Sequence, residues 1–219
     1  MAKKSKKQTG TTHVLLVVDR SGSMSGSEND VIGGINGYVD GLRGASDSTF
    51  SVTLALFDHE YVALCAAAAL ADVPAMSHDN YRVRGTTALR DAIGKTILEF
   101  EERVRTLGED DKVLLVVNTD GEENSSREIT AERVRQMITE REASGKWACV
   151  FLGADMDAWA TSAGMGFARG QSVSMAKGAV MDSYAVATAS SISYASGATD
   201  ARDVGDAIKR GLDEKNKKQ

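Results

Sequence analysis

Two apolar runs, His13 to Val18 and Val113 to Val117, are rich in Val and Leu and show no alternation of apolar with polar residues. A strand with one face in water alternates, so these runs predict strands covered on both faces, as in a parallel sheet between layers of helices. Trp147 to Leu152 matches them. Phe50 to Phe57, followed by Asp58-His59-Glu60 and the apolar stretch Tyr61 to Cys65, predicts a hairpin.

Helical spacing fills the intervals. Val31, Ile32, Ile35, Tyr38, Val39 and Leu42 make one stripe, interrupted by Gly33, Gly34, Gly37 and Gly41. Each glycine costs about 0.5 to 1 kcal/mol relative to Ala, which close packing against the sheet is expected to offset. Leu89, Ile93, Ile97, Phe100, Val104 and Leu107 make a second stripe, stopped at Gly108. Further helices are expected over about Glu128 to Ser144, Met156 to Ala163 and Gly178 to Ser196, the last rich in Ala and Ser. An irregular stretch from about Ala66 to Gly85 contains the single proline, Pro74. Strands alternating with helices give the fold class: α/β, a doubly wound, Rossmann-like and mostly parallel sheet with one antiparallel edge strand near Tyr61.

Composition limits the function. The 219 residues suffice for one domain, expected over 12–212, between a basic, disordered tail at 1–11 and a basic tail at 213–219. No apolar run is long enough to cross a bilayer, and the start MAKKSKK lacks a secretory apolar stretch, so no membrane association and a cytoplasmic location are expected. Net charge is -5, and residues 8–214 hold 19 basic against 31 acidic residues because seven lysines sit at the ends. An acidic body repels phosphate backbones, so no nucleic-acid partner is expected. Cys65 and Cys149 read as buried free thiols.

The first strand runs into Asp19-Arg20-Ser21-Gly22-Ser23-Met24-Ser25-Gly26, a carboxylate followed by hydroxyls at alternate positions on a glycine-containing turn. The second parallel strand ends in Asn118-Thr119-Asp120-Gly121. Paired strands lie about 4.8 Å apart, so pairing of these two puts Asp19 and Asp120 in one pocket, at the carboxyl ends where open α/β sheets bind ligands. Two adjacent carboxylates with hydroxyls nearby favour a cation between them. Oxygen ligands without Cys or His suit Mg²⁺ or Mn²⁺; zinc is disfavoured and Ca²⁺ would prefer more charged oxygens.

With Asp19-x-Ser21-x-Ser23, Gly85-Thr86-Thr87-Ala88-Leu89-Arg90-Asp91-Ala92-Ile93 and Thr119-Asp120-Gly121, the chain resembles a von Willebrand factor A domain from about Thr12 to Gly153. The resemblance implies a metal-ion-dependent adhesion site formed by Asp19, Ser21, Ser23, Thr87 and Asp120. Thr87, not Thr86, fits the family's threonine, two before a leucine and ahead of D-A-I. Ser21 and Ser23 would bind the ion directly, and an open coordination position would take an acidic side chain from a partner protein. T-D-G-E-E-N-S-S-R-E and F-L-G-A-D-x-D-A resemble the stand-alone A-domain proteins of bacteria and their phages. The implied function is a monomeric, metal-dependent protein-binding module, not an enzyme, with loops including Ala66 to Gly85 setting selectivity.

Asp19 to Ser23 could be a turn capping the next helix, and Asp120-Gly121 an ordinary turn. A Mg²⁺-dependent hydrolase of phosphoesters would use Arg20 and Arg90, and a metal-independent scaffold would use the acidic surface. Gly94-Lys95-Thr96 lacks the first glycine of a phosphate loop, and neither G-x-S-x-G nor H-E-x-x-H occurs. Glu122 and Glu123 are expected in the acidic first turn of the helix near Glu128, Asp91 behind the site, and Asp155 and Asp157 as a helix N-cap rather than a second cation site.

Overall fold

The structure, a computed structural model, describes residues 10–153, 162–174 and 180–217. Among these, six strands form one sheet in the order β3-β2-β1-β4-β5-β6. They are β1 (Thr11–Asp19), β2 (Thr49–Phe57), β3 (Tyr61–Ala69), β4 (Lys112–Thr119), β5 (Trp147–Gly153) and β6 (Ser172–Ser174). All pairings are parallel except β2 with β3. The helices are α1 (Glu28–Arg43), α2 (Leu89–Arg103), α3 (Ala131–Ala143), α4 (Val180–Ala195) and α5 (Val204–Asn216). No described helix is long and apolar enough to cross a membrane.

The non-alternating strands have the cause expected of them: successive residues face different cores. Val14, Leu16 and Val18 pack with α1, α4 and α5, while Leu15 and Val17 pack with α2 and α3. Each such fully buried aliphatic side chain is worth about 1.5 to 3 kcal/mol, so the central strands anchor both layers.

The glycines of α1 serve a different neighbour from the one expected. Gly33, Gly34 and Gly41 face α4, not the sheet, while Gly37 has open space beside it. A side-chain carbon at Gly34 would meet Tyr184 Cδ2 at 2.5 Å, and one at Gly41 would meet Thr188 Cγ2 at 2.4 Å. The Ala/Ser-rich α4 thus lies close to α1, and the Tyr38 hydroxyl meets Ser191 Oγ at 2.6 Å.

Boundaries differ from the sequence reading for local reasons. Strand β3 extends to Ala69, past the expected start of the irregular stretch, with a bulge where Ala67 has φ 48°. Helix α2 ends at Arg103, yet Val104 and Leu107 still pack on its cluster, so the apolar pattern outlasts the helix. Helix α3 starts at Ala131 rather than near Glu128, because Thr130 is its N-cap and the amides of residues 127–129 are held elsewhere. Strand β6 and helix α5 were not foreseen, and α5 runs through Asn216 with Lys215 paired to Asp182. Residues 156–161 of the expected helix from Met156 to Ala163 lie outside the described residues, as do Asp155 and Asp157.

Candidate metal centre

Strand β1 has β2 on one side and β4 on the other, so the winding reverses between β1 and β4, and their carboxyl ends border the crevice that such sheets use for ligands. Val18 pairs with Asn118 and Asp19 with Phe57, which brings Thr119 alongside the end of β1. Asp19 is fully buried there.

The turn after β1 folds back on that carboxylate. Ser21 N donates to Asp19 Oδ1 at 2.6 Å, and the hydroxyls of Ser21 and Ser23 lie 3.1 Å apart. From β4, Thr119 Oγ1 donates to Asp19 Oδ2 at 2.5 Å. Tyr81 OH donates to the Asp19 carbonyl at 2.7 Å, pinning the 73–88 segment to the strand end. That segment is irregular but bolted down: Val73, Met76 and Tyr81 are buried, and the Asn36 amide bonds both the N–H and the carbonyl of Met76.

Thr87 joins the same spot. Its N–H donates to Asn124 Oδ1 at 2.8 Å, while its carbonyl accepts from Asn124 N at 3.0 Å. A carbon added at Gly121 would lie 2.9 Å from Ser23 Oγ, 3.0 Å from Thr87 Oγ1 and 3.4 Å from Asp19 Oδ2. Three of the five expected residues therefore converge on one small volume that Gly121 leaves open, and Ser21 touches it through Ser23. Asp120 stands beside it. Its Oδ1 is buried without a hydrogen-bond partner.

Electrostatics agree with that geometry. Burial pushes the Asp19 carboxyl up to about 6, with the nearby Asp120 charge adding to the rise and the bonds from Thr119 and Ser21 opposing it. An isolated buried carboxylate is costly, and a buried oxygen left without a donor is costly too. A hard divalent cation relieves both, and the donors are all oxygens, so the residues present fit such an ion.

The neighbouring acids have different work from that expected. Glu123 caps α2, not α3: its carboxylate accepts from Arg90 N at 2.9 Å and from Ser125 N and Ser126 N. These bonds hold its pKa below the usual carboxylate range against the effect of burial. Asp91 does not reach the site residues; it accepts from the N–H groups of Arg127, Glu128 and Ile129 and ties the 122–130 loop to α2. Thr119, Gly121, Tyr81 and Asn124 also shape the site, and the sequence predicts no role for them. Thr119 and Gly121 flank Asp120, which is the signal that could have found them, whereas Tyr81 and Asn124 act through backbone contacts that no spacing reveals.

A second group, Asp58, His59 and Glu60 in the β2–β3 turn, has potential ligand atoms within 4.8 Å of one another. Its buried carboxylate is already met by cations. Arg20 Nε and Arg84 Nε both lie 2.9 Å from Asp58 Oδ2.

Comparison with known proteins rests on structure, because no family model and no curated protein matches the sequence. A von Willebrand factor type A protein from Catenulispora acidiphila superposes with TM-score 0.59 at 11% identity, over 84% of this chain and 43% of that one. The chain has a von Willebrand factor A-type fold. The same A-type architecture aligns with manganese-loaded TRAP protein from Plasmodium vivax (TM-score 0.55, 15% identity, 79% of this chain and 71% of that one). It also aligns with proximal thread matrix protein 1 from the mussel byssus (TM-score 0.62, 13% identity, 85% of this chain). The chain spans 46% of the mussel protein's length.

Proposed function

We propose that this A-type domain is a divalent-metal-dependent protein-binding module of the stand-alone bacterial or phage kind. In this reading Asp19, Ser21, Ser23, Thr87 and Asp120 hold Mg²⁺ or Mn²⁺ in a metal-ion-dependent adhesion site. The observation that carries the reading is the gap at Gly121, bounded by Ser23, Thr87 and Asp19, with a partnerless buried oxygen of Asp120 next to it. When bound, the ion supplies a Lewis-acidic centre to which a partner's Asp or Glu carboxylate can coordinate. Ser23 is solvent-exposed whereas Asp19, Ser21 and Thr87 are buried, so the chain's own carboxylate lies at the floor and a partner approaches over Ser23.

A polar cleft of about 440 Å³ adjoins the site at Thr86 and Ala88, with His59, Lys95 and Arg127 in its walls. It gives room for partner residues that flank the acid. Binding rather than turnover is the proposed use. The two arginines that a phosphoester substrate would need are engaged, Arg20 at Asp58 and Arg90 Nη2 at 3.4 Å from Glu123 Oε1. Calorimetry with Mg²⁺ and Mn²⁺ tests the site, and capture of the partner with and without chelator tests its use. Heat that vanishes in Asp120→Ala together with capture abolished by chelator is the expected result. Capture that survives chelation would support a metal-independent scaffold, and Mg²⁺-dependent release of phosphate from generic phosphoesters, lost in Asp19→Ala, would support a hydrolase.

A further inference from the structure

The hydroxyls that converge at Gly121 come from two separate loops, 20–25 after β1 and 84–88 before α2, and neither loop is part of a sheet or a long helix. Something must fix the distance between them. Backbone bonds supply part of the answer: Gly22 N donates to Gly85 O at 3.1 Å and Arg84 N to Arg20 O at 2.8 Å. The rest converges on one fully buried carboxylate outside the expected ligand set, that of Asp58.

We propose that Asp58 is the positioning residue that locks the Ser21/Ser23 loop to the Thr87 loop. The proposal rests on the metal-site reading above. Arg84 Nε donates to Asp58 Oδ2 at 2.9 Å, and Arg20 Nε lies at 2.9 Å from the same oxygen as a charge contact without hydrogen-bond alignment. Arg20 sits between Asp19 and Ser21, and Arg84 is three residues before Thr87. Asp58 Oδ1 accepts from Glu60 N at 2.6 Å, which holds the carboxylate in place, and the Asp58 carbonyl accepts from Ala88 N at 2.8 Å, next to Thr87.

The charge arrangement serves the same end. Two arginines within a few residues of a cation site would repel the cation if left alone. Asp58 faces both, and Glu60 also pairs with Arg84, so the pair of guanidinium groups is matched by a pair of carboxylates. Removing Asp58 both frees the loops and uncovers positive charge beside the site. Groups that orient ligands from behind typically change metal affinity 10- to 100-fold when removed.

The test uses the full chain with two readouts. Asp58→Asn preserves shape and removes charge, and Arg84→Ala, at a half-exposed position, removes one arm should Asp58→Asn fail to fold; Arg84→Lys is the conservative rescue. Hydrogen exchange without metal is expected to show the amides of Gly22, Arg84 and Ala88 losing protection at least tenfold in the first two variants, while β1 amides keep theirs. The Mn²⁺ Kd, read by paramagnetic resonance, is expected to weaken about 10- to 100-fold in Asp58→Asn and several-fold in Arg84→Ala, and to recover partly in Arg84→Lys. Unchanged protection of those three amides overturns the proposal, as does a Kd within twofold of wild type in a folded variant. A wild-type protein that binds no Mn²⁺ overturns the metal-site reading instead, and the exchange data then decide the loop lock alone.

Discussion

Thr119 Oγ1 donates to Asp19 Oδ2 at 2.5 Å across the gap between β1 and β4, joining the ends of the two central strands where the winding of the sheet reverses. A hydrogen bond to a charged acceptor is worth about 1.5 to 3 kcal/mol, and this one favours the ionised form of Asp19. Thr119→Val is expected to weaken Mn²⁺ binding roughly tenfold with little change in fold, as read by calorimetry and circular dichroism. Unchanged affinity would mean that the bond does not set the charge of Asp19.

Asp19 titrates near 6 rather than at 3.8, chiefly because it is buried. Its folded pKa is above its unfolded one, so the native state binds the proton more tightly. The stabilisation from this group is complete below about pH 4 and is lost as pH rises through 6, amounting to about 2 to 3 kcal/mol. Urea unfolding in chelator is expected to show this decline, and Asp19→Asn is expected to remove it. With Mn²⁺ present the proton and the ion compete, so the metal-induced rise in Tm should grow between pH 5 and 7. A pH-independent rise would contradict this assignment.

Gly121→Ala places a carbon within 3.0 Å of Ser23 Oγ and Thr87 Oγ1. The space for an ion is then filled by the chain itself. Metal affinity is expected to fall about 100-fold or more, while the Tm in chelator changes by only a few degrees, because the position lies in a turn rather than in the core. Differential scanning calorimetry with and without Mn²⁺ separates the two effects. A metal-induced Tm rise as large as that of wild type would show that the gap is not the binding site.

Gly34→Ala probes the contact between α1 and α4. The added methyl would meet the Tyr184 ring at 2.5 Å, where α1 packs on α4. A loss of about 1 to 3 kcal/mol is expected in urea unfolding, despite the higher helix propensity of Ala. The same change at Gly37, which has nothing within 4 Å, should be neutral or stabilising.

Much of this arrangement was legible in the sequence. Val14 to Val18 and Val113 to Val117 predict doubly covered strands because helices coat both faces; that places Asp19 and Asp120 at strand ends, and the pairing of β1 with β4 makes those ends neighbours. Ser23 and Thr87, expected from the resemblance, meet Asp19 at the Gly121 gap, and Ser21 reaches Ser23. What the sequence hid was carried by contacts without a period. Asn124 holds Thr87 through its backbone, and Tyr81 reaches a strand-end carbonyl from a segment with no regular structure. Strand β6 is three residues long, too short to signal itself. Helix α5 offers only Val204, Ile208 and Leu212 toward the core amid Gly205 and Gly211, so its stripe is thin. The glycines of α1 announced a close approach, yet only the fold shows that the approaching element is α4.

The most direct measurement is a Mn²⁺ titration of the full chain by paramagnetic resonance, alongside Ser23→Ala and Asp120→Ala. A metal site built on these residues requires one bound Mn²⁺ per chain in the wild type, displaced by Mg²⁺, and binding weakened at least tenfold in both variants. Free Mn²⁺ signal undiminished by the wild-type protein, or binding unaltered by either substitution, would contradict it.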